Sequence, residues 1–231
     1  MSVHNTLRRV SGVILDCDGV ILDTMRQWNR LGVDFLHDCG VEPNSDLFER
    51  LASMTLEESA PFFHDEYDVK LSVQEIRAAL DIRIRSFYTP RPRVKSGVLE
   101  TLQTLKQGGV KVALATTTPR SLVEAGLTAA KIRPYFDELF SCDDLDIPEG
   151  KKSPRIYDKA RDYLNSPLEE TVVVEDAFYA IQTAKQAGFF VVGFEDKEEY
   201  CRKGEIVQTA DIYFENHAAL QTWLAGRLRE G

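Results

Sequence analysis

The chain is short of the residues that mark several common chemistries. It has four cysteines and four histidines in 231 residues. Cys17, Cys39, Cys142 and Cys201 lie far apart and form no C-x-x-C pair, which argues against a zinc site or a redox dithiol. His4, His37, His64 and His217 make no ligand spacing, so none is given a role. Positive charge is scarce as well: 28 Lys plus Arg stand against 37 Asp plus Glu, a formal net charge of −9. Such a surface repels a phosphate backbone, so no nucleic-acid partner is expected. Any anion site has to be built locally, from a metal, a few bases and backbone amides. Long apolar runs are missing too. The segment before residue 11 has two arginines but no apolar stretch after it, and Val13-Ile14-Leu15 is too short for a signal peptide or a membrane span. No membrane partner and a cytoplasmic location with reduced thiols are expected.

What is present fits a packed α/β protein: 43% of residues are hydrophobic, and the length suffices for one α/β domain with a smaller accessory domain. Short apolar runs at 11–15, 110–115, 139–141, 171–174, 189–194 and 212–214 read as strands. Helical patterns lie between the later ones. Leu99, Leu102 and Leu105 have helical spacing before Gly108-Gly109, residues 154–164 form a second pattern, and 177–187 a third, stopped by Gly188. Strands alternating with helices, each strand a continuous apolar run, predict a doubly wound parallel sheet covered on both faces.

The first strand stands apart from this alternation. About 70 residues of helical character follow it without a clear strand. Trp28, Leu31, Phe35 and Cys39 repeat at helical spacing up to Gly40, and Ile76, Leu80 and Ile84 share one face of a second helix over 72–86. Pro90-Arg91-Pro92-Arg93 reads as a stiff connection. The division predicted is a core of residues 1–23 and 93–231 with an all-helical insert of residues 24–92.

Four groups of residues carry chemistry. Asp16-Cys17-Asp18-Gly19 directly follows the first strand, and in open α/β sheets ligands sit at the carboxyl ends of strands. Two carboxylates so close resist joint ionisation without a cation. With Mg²⁺ present, Asp16 can attack phosphorus and Asp18 can carry a proton. The second strand runs into Thr116-Thr117-Thr118-Pro119, where a hydroxyl and the amides opening a helix make an anion site, with Pro119 read as its first residue. Gly150-Lys151-Lys152-Ser153-Pro154 offers a lysine to balance a phosphoryl group. The strand at 171–174 delivers Glu175-Asp176, oxygen ligands of the kind Mg²⁺ prefers. Each group alone also reads as something ordinary: an Asp-rich turn, a Thr N-cap, a solvated lysine pair, a surface acidic pair. Their order and strand-end placement as a set carry the reading.

With these four motifs in this order, the chain resembles the haloacid dehalogenase superfamily: hhhDxDG at residues 13–19, a strand-end Ser/Thr at Thr116, a lysine at Lys151 and an acidic pair at Glu175-Asp176. The insert resembles the family's C1 cap, and DCDGVILDT, GKKSP and VVVEDAFYAIQTAKQAG are similar to its β-phosphoglucomutase-like branch. The resemblance implies a Rossmann-like core and a magnesium-dependent phosphatase acting on a small phosphate ester through an aspartyl-phosphate. It implies Asp16 as nucleophile and metal ligand, and Asp18 as acid/base with its backbone carbonyl on the metal. Thr116 and Lys151 would hold the phosphoryl group, and Gly19, Thr117 and Thr118 would line the substrate. Asp176 would be the main acidic metal ligand, with Glu175 direct or one shell out. Dehalogenases of the superfamily lack the second Asp of DxD, so Asp18 favours phosphoryl transfer. Lys152, Arg155 and Ala177 depart from the branch's usual Pro, Asp and Ser.

The alternatives are a sugar-phosphate mutase of the same fold and a catalytically idle binding protein. Mutases of this branch carry a cap loop K-G-x-S-R whose Arg grips a distal phosphate. Here the matching stretch is Ala52-Ser53-Met54-Thr55-Leu56, without either basic residue, and Trp28 stands where mutases have a His. Arg91, Arg93 and Arg120 are the candidates to compensate. The expectation is a phosphatase. The sequence leaves the substrate and the oligomeric state open, a monomer being compatible with it.

Overall fold

The structure, a computed structural model, describes residue 7 and residues 9–51, 54 and 56–228. The elements follow in the order β1 (Gly12–Leu15), α1 (Met25–Asp38), α2 (Leu47–Leu51), α3 (Leu56–Tyr67), α4 (Val73–Tyr88), α5 (Val98–Gln107), β2 (Lys111–Thr116), α6 (Arg120–Ala129), β3 (Glu138–Ser141), α7 (Arg155–Leu164), β4 (Thr171–Glu175), α8 (Phe178–Gln186), β5 (Phe190–Phe194), α9 (Lys203–Thr209), β6 (Ile212–Phe214) and α10 (His217–Ala225). All six strands are parallel, in the order β3-β2-β1-β4-β5-β6.

The apolar runs bury both faces of the sheet because successive strand side chains point to opposite sides. Val13, Leu15, Val112, Leu114, Val172 and Val174 pack against α5, α6 and α10 through Leu102, Val123 and Leu220. Ile14, Ala113, Ala115, Val173 and Val191 face the other way, onto Ile156 and Leu164 of α7, Ile181 of α8 and Ile206 of α9. Each such buried aliphatic side chain contributes roughly 1.5–3 kcal/mol relative to exposure. Leu99 is 41% exposed, and Val98, Thr101, Leu102 and Leu105 form the buried face of α5. Spacing of three fits either side of a helix, and the sheet selected the face through Leu102.

Helices α1 to α4 lie between β1 and α5 in sequence and hold no strand of the sheet. Ser72 and Glu75 start α4 with reciprocal side-chain to backbone bonds, a capping box readable in the sequence. Ile76, Leu80 and Ile84 are all buried, as their spacing predicts. Phe35 of α1 and Phe63 of α3 meet at 5.0 Å between ring centroids. The two chain connections to this helical segment run side by side. The Asp23 amide donates to the Arg93 carbonyl at 2.8 Å and the Lys95 amide to the Ile21 carbonyl at 3.0 Å.

Candidate active site

The strand order reverses around β1, so β1, β2 and β4 are neighbours within the sheet and end side by side at its carboxyl end. Asp16 is the first residue past β1, and its amide still donates to Val174 of β4 at 3.0 Å. Thr116 ends β2 and Glu175 ends β4. Gly19 turns the loop with φ +89°, where a side chain is strained, and a Cβ there would run into the Asp176 carboxylate. That close approach brings Asp16, Glu175 and Asp176, all buried, to within 4.8 Å of one another through one oxygen each.

Lys151 enters this acidic cluster from the turn Gly150–Lys152. Its ammonium contacts the Asp16 carboxylate and lies 2.5 Å from Glu175 Oε1. The sequence offered two adjacent lysines. The structure buries Lys151 at 3% exposure and leaves Lys152 exposed. Burial works against the Lys151 charge, but Asp16 and Glu175 overcome it and hold its pKa above the ordinary lysine value. Burial pushes the Asp16 carboxyl up to about 8. Lys151 opposes that shift, while Glu175 and Asp18 add to it. Tyr157 of α7, a residue sequence reasoning missed, donates to Glu175 Oε1 at 2.7 Å. Glu175 thus serves Lys151 and Tyr157 as acceptor.

Asp18 sits in a different environment, among hydroxyls. Thr24 Oγ1 donates to its Oδ1 at 2.5 Å, Tyr88 Oη to the same oxygen at 2.6 Å, and Thr118 Oγ1 to Oδ2 at 2.8 Å. Tyr88 in turn accepts from Trp28 Nε1 at 3.1 Å. Burial, then the Asp18 charge, push the Tyr88 phenol well above its ordinary range, so it keeps the proton it donates. Helical spacing marked Trp28 as a packing residue and gave no sign of Tyr88, because the partner lies 70 residues away.

The three threonines after β2 are placed differently from one another. Thr116 is buried, and its hydroxyl accepts from the Thr118 amide at 3.0 Å. Thr117 is exposed, whereas Thr118 is engaged with Asp18. Pro119 occupies the N-cap of α6, one residue outside the helix it was expected to begin. Arg120 donates to the Leu139 carbonyl at 2.7 Å and to Glu138 at 2.6 Å, so it is committed to β3. Arg91 and Arg93 are exposed, and Arg93 lies 3.5 Å from Asp23. In the loop compared with the mutases, Ala52, Ser53 and Thr55 lie outside the described residues, as does the Leu56 side chain; His4 lies outside them too. His217 is buried at 1% exposure, bonded through Nε2 to the Val20 carbonyl at 2.8 Å. It braces the loop that carries the aspartates.

The acidic cluster fits a hard divalent cation. Its donors are three carboxylates, with no thiolate or imidazole among them. Their charge exceeds that of the one lysine in contact, and a cation beside Asp16 would reverse the upward push on its carboxyl.

Comparison with known proteins agrees with this construction. The haloacid dehalogenase-like hydrolase pattern matches residues 13–194. A phosphorylated carbohydrates phosphatase of Thermotoga maritima is 27% identical over 179 residues, covering 78% of this chain and 82% of that one. The pyrophosphatase PpaX of Bacillus mycoides is 28% identical over 185 residues, covering 78% and 81%. The crystal structure of CbbY from Rhodobacter sphaeroides in complex with phosphate superposes with a TM-score of 0.75 at 25% identity, over 91% of this chain and 96% of that one. β-Phosphoglucomutase from Clostridium difficile shares the fold, with a TM-score of 0.73 at 19% identity over 91% and 93%. Among the described residues no helix is long and apolar enough to cross a membrane. The chain belongs to the haloacid dehalogenase-like hydrolase family, as a hydrolytic enzyme of its phosphatase side.

Proposed function

We propose that the protein hydrolyses a small phosphate monoester, of the sugar-phosphate kind, through a phosphoryl group carried on Asp16. The observation that carries this reading is the unequal setting of two carboxylates two residues apart. Asp16 lies against Lys151 in the acidic cluster, and Asp18 lies among three hydroxyls. Different surroundings suit different roles. An Asp16 oxygen attacks phosphorus and the ester oxygen leaves, taking a proton from Asp18. Asp18 then takes a proton from water, whose oxygen attacks the same phosphorus, and Asp16 is released with inorganic phosphate. Lys151 offsets charge on the phosphoryl oxygens, and the Thr116 hydroxyl and the following amides orient them. Asp16, Asp176, the Asp18 carbonyl and Glu175, directly or one shell out, would hold Mg²⁺, which supplies charge neutralisation at the phosphoryl group when bound. Residues 24–92 form a cap that shields this chemistry from bulk water, a reading supported by their helical make-up and by the paired connections at Asp23 and Arg93.

Water as the phosphoryl acceptor is supported by the commitment of Arg120 to β3 and by Trp28 in the place of the mutase His. The names of the Thermotoga and Bacillus relatives point the same way. The test incubates the enzyme and Mg²⁺ with a panel of sugar phosphates, one arm holding β-glucose 1-phosphate with a trace of the 1,6-bisphosphate. Free phosphate and sugar 6-phosphate are followed separately. Phosphate release is expected; rapid interconversion with little phosphate release overturns the reading in favour of a mutase.

A further inference from the structure

Asp18 is held by more than the loop that carries it. From the helical segment, Thr24 at its start and Tyr88, the last residue of α4, bond Asp18 directly, and Trp28, in the first turn of α1, stands behind Tyr88. An indole N–H can only donate, so the Trp28 contact fixes the order of the chain. Trp28 Nε1 donates to Tyr88 Oη at 3.1 Å, and Tyr88 Oη donates to Asp18 Oδ1 at 2.6 Å. The Tyr88 hydroxyl has one proton, and Asp18 Oδ1 at 2.6 Å takes it in preference to the more distant Thr118 Oγ1 at 3.4 Å. Tyr88 is itself immobilised. It is fully buried, and its ring lies over Gly126 of α6, where an added Cβ would sit 3.2 Å from Cδ1 and 3.3 Å from Cβ of the tyrosine. The absence of a side chain at Gly126 lets α4 approach α6 closely enough for the phenol to reach Asp18. Phe87 packs edge-on against Trp28, with ring centroids 5.7 Å apart, and holds the indole in line.

We propose that Tyr88, with Trp28 behind it, is a positioning residue that sets the direction of the Asp18 carboxylate for proton delivery to the leaving oxygen. This rests on the acid/base role assigned to Asp18 above. A carboxylate accepting hydroxyl protons on both oxygens has little rotational freedom. Without the phenol, Oδ1 keeps the Thr24 bond and Oδ2 the Thr118 bond, so the carboxylate stays bonded on both oxygens but loses one of three donors, the one anchored by a buried ring, and its direction is held less tightly. Small misplacement of a proton donor is costly when the leaving group needs the proton and nearly harmless when it does not.

The experiment compares Tyr88→Phe, Trp28→Phe and Asp18→Asn with the wild-type enzyme in Mg²⁺. The probes are phenyl phosphate, whose phenolate leaves poorly, and p-nitrophenyl phosphate, whose phenolate leaves readily. The quantity read is kcat/KM, which reports the steps through departure of the leaving group. Tyr88→Phe should lower kcat/KM for phenyl phosphate about tenfold and for p-nitrophenyl phosphate by less than about threefold. Trp28→Phe should show the same selectivity at smaller size. A merely structural role would lower both substrates alike, so equal losses, no loss, or a gain on phenyl phosphate overturn the proposal. If Tyr88→Phe does not fold, the selectivity of Trp28→Phe decides by the same criterion. Asp18→Asn separates the two levels. Should it keep wild-type kcat/KM on phenyl phosphate, the acid/base reading falls and this proposal with it. Should it lose activity while Tyr88→Phe and Trp28→Phe do not discriminate, the proposal alone falls.

Discussion

The Lys151 ammonium contacts the Asp16 carboxylate across 135 residues of sequence, with both side chains buried. The pair stands inside a cluster of acids, and the chemistry proposed for the site turns on what each member does there.

Replacing Asp16 with Asn removes the attacking oxygen while keeping the shape. Turnover should fall by at least a thousandfold, with the fold retained by circular dichroism. Phosphate release by the purified variant is the measurement. Activity within about tenfold of wild type, a barrier change of only ~1.4 kcal/mol, would remove Asp16 from the role of nucleophile.

Metal should be required for turnover and should also be visible in stability. Activity should vanish with chelator and return with Mg²⁺, Ca²⁺ should substitute poorly, and Asp176→Ala should mimic chelation. Without metal, the Asp16 carboxyl sits near 8 in the folded protein against an ordinary 3.8. A raised carboxyl contributes stability that is present below its unfolded value and is lost as pH rises through the folded one. Mg²⁺ binding displaces that proton, so the rise in Tm on adding Mg²⁺ should be larger at pH 8 than at pH 5. A Tm insensitive to Mg²⁺ at both would count against the site.

His217 should make the protein acid-sensitive. Burial lowers its pKa from 6.5 to about 4, so the folded protein holds it neutral. The sign is that of a depressed histidine: the contribution is present above pH 6.5 and lost as pH falls toward 4. Its upper size is about 3 kcal/mol, from the linkage of pKa to stability. Urea unfolding at pH 7 and pH 4 checks this, with His217→Gln expected to flatten the difference between the two. An equal pH difference in wild type and variant would assign the acid sensitivity to other groups.

Cap function predicts that residues 24–92 are dispensable for chemistry on an activated ester and necessary for choice among substrates. A chain with a short linker in their place should still release p-nitrophenol from p-nitrophenyl phosphate but lose its ranking of sugar phosphates. Unchanged ranking would place specificity in the core instead. The buried face of α4, including Ile84 and Tyr88, packs in one apolar cluster with Val123 and Leu127 of α6. The substitution therefore needs a folding control by circular dichroism.

Much of the architecture was legible in the sequence because the strands at the centre of a doubly wound sheet are apolar on both faces. Runs such as Val172-Val173-Val174 therefore announce themselves without alternation. The helices around them were legible from spacing, as at Ile76, Leu80 and Ile84. The four candidate groups were legible because each follows a strand or opens a helix; the parallel order of β1, β2 and β4 brings three of them together at the carboxyl end of the sheet, and Lys151 joins them from the turn before α7. Periodicity could not say which side of α5 faced the sheet, since Leu99 shares the spacing of Leu102 and Leu105 but lies on the rim of the buried stripe. Local sequence also could not choose between Lys151 and Lys152. That choice depends on a turn with φ +57° at Gly150 and on acids supplied by β1 and β4. Tyr88, Tyr157 and His217 carried no local signal, because a buried polar group is defined by its partner, and those partners are 70, 18 and 197 residues away. The sequence by itself determined where the strands of the sheet and several of its helices run, through periodicity, and which residues are candidates for the chemistry, through strand-end placement. Only the tertiary structure decided which hydroxyls hold Asp18 and which ammonium meets Asp16, because those bonds join elements that only folding brings within hydrogen-bond reach.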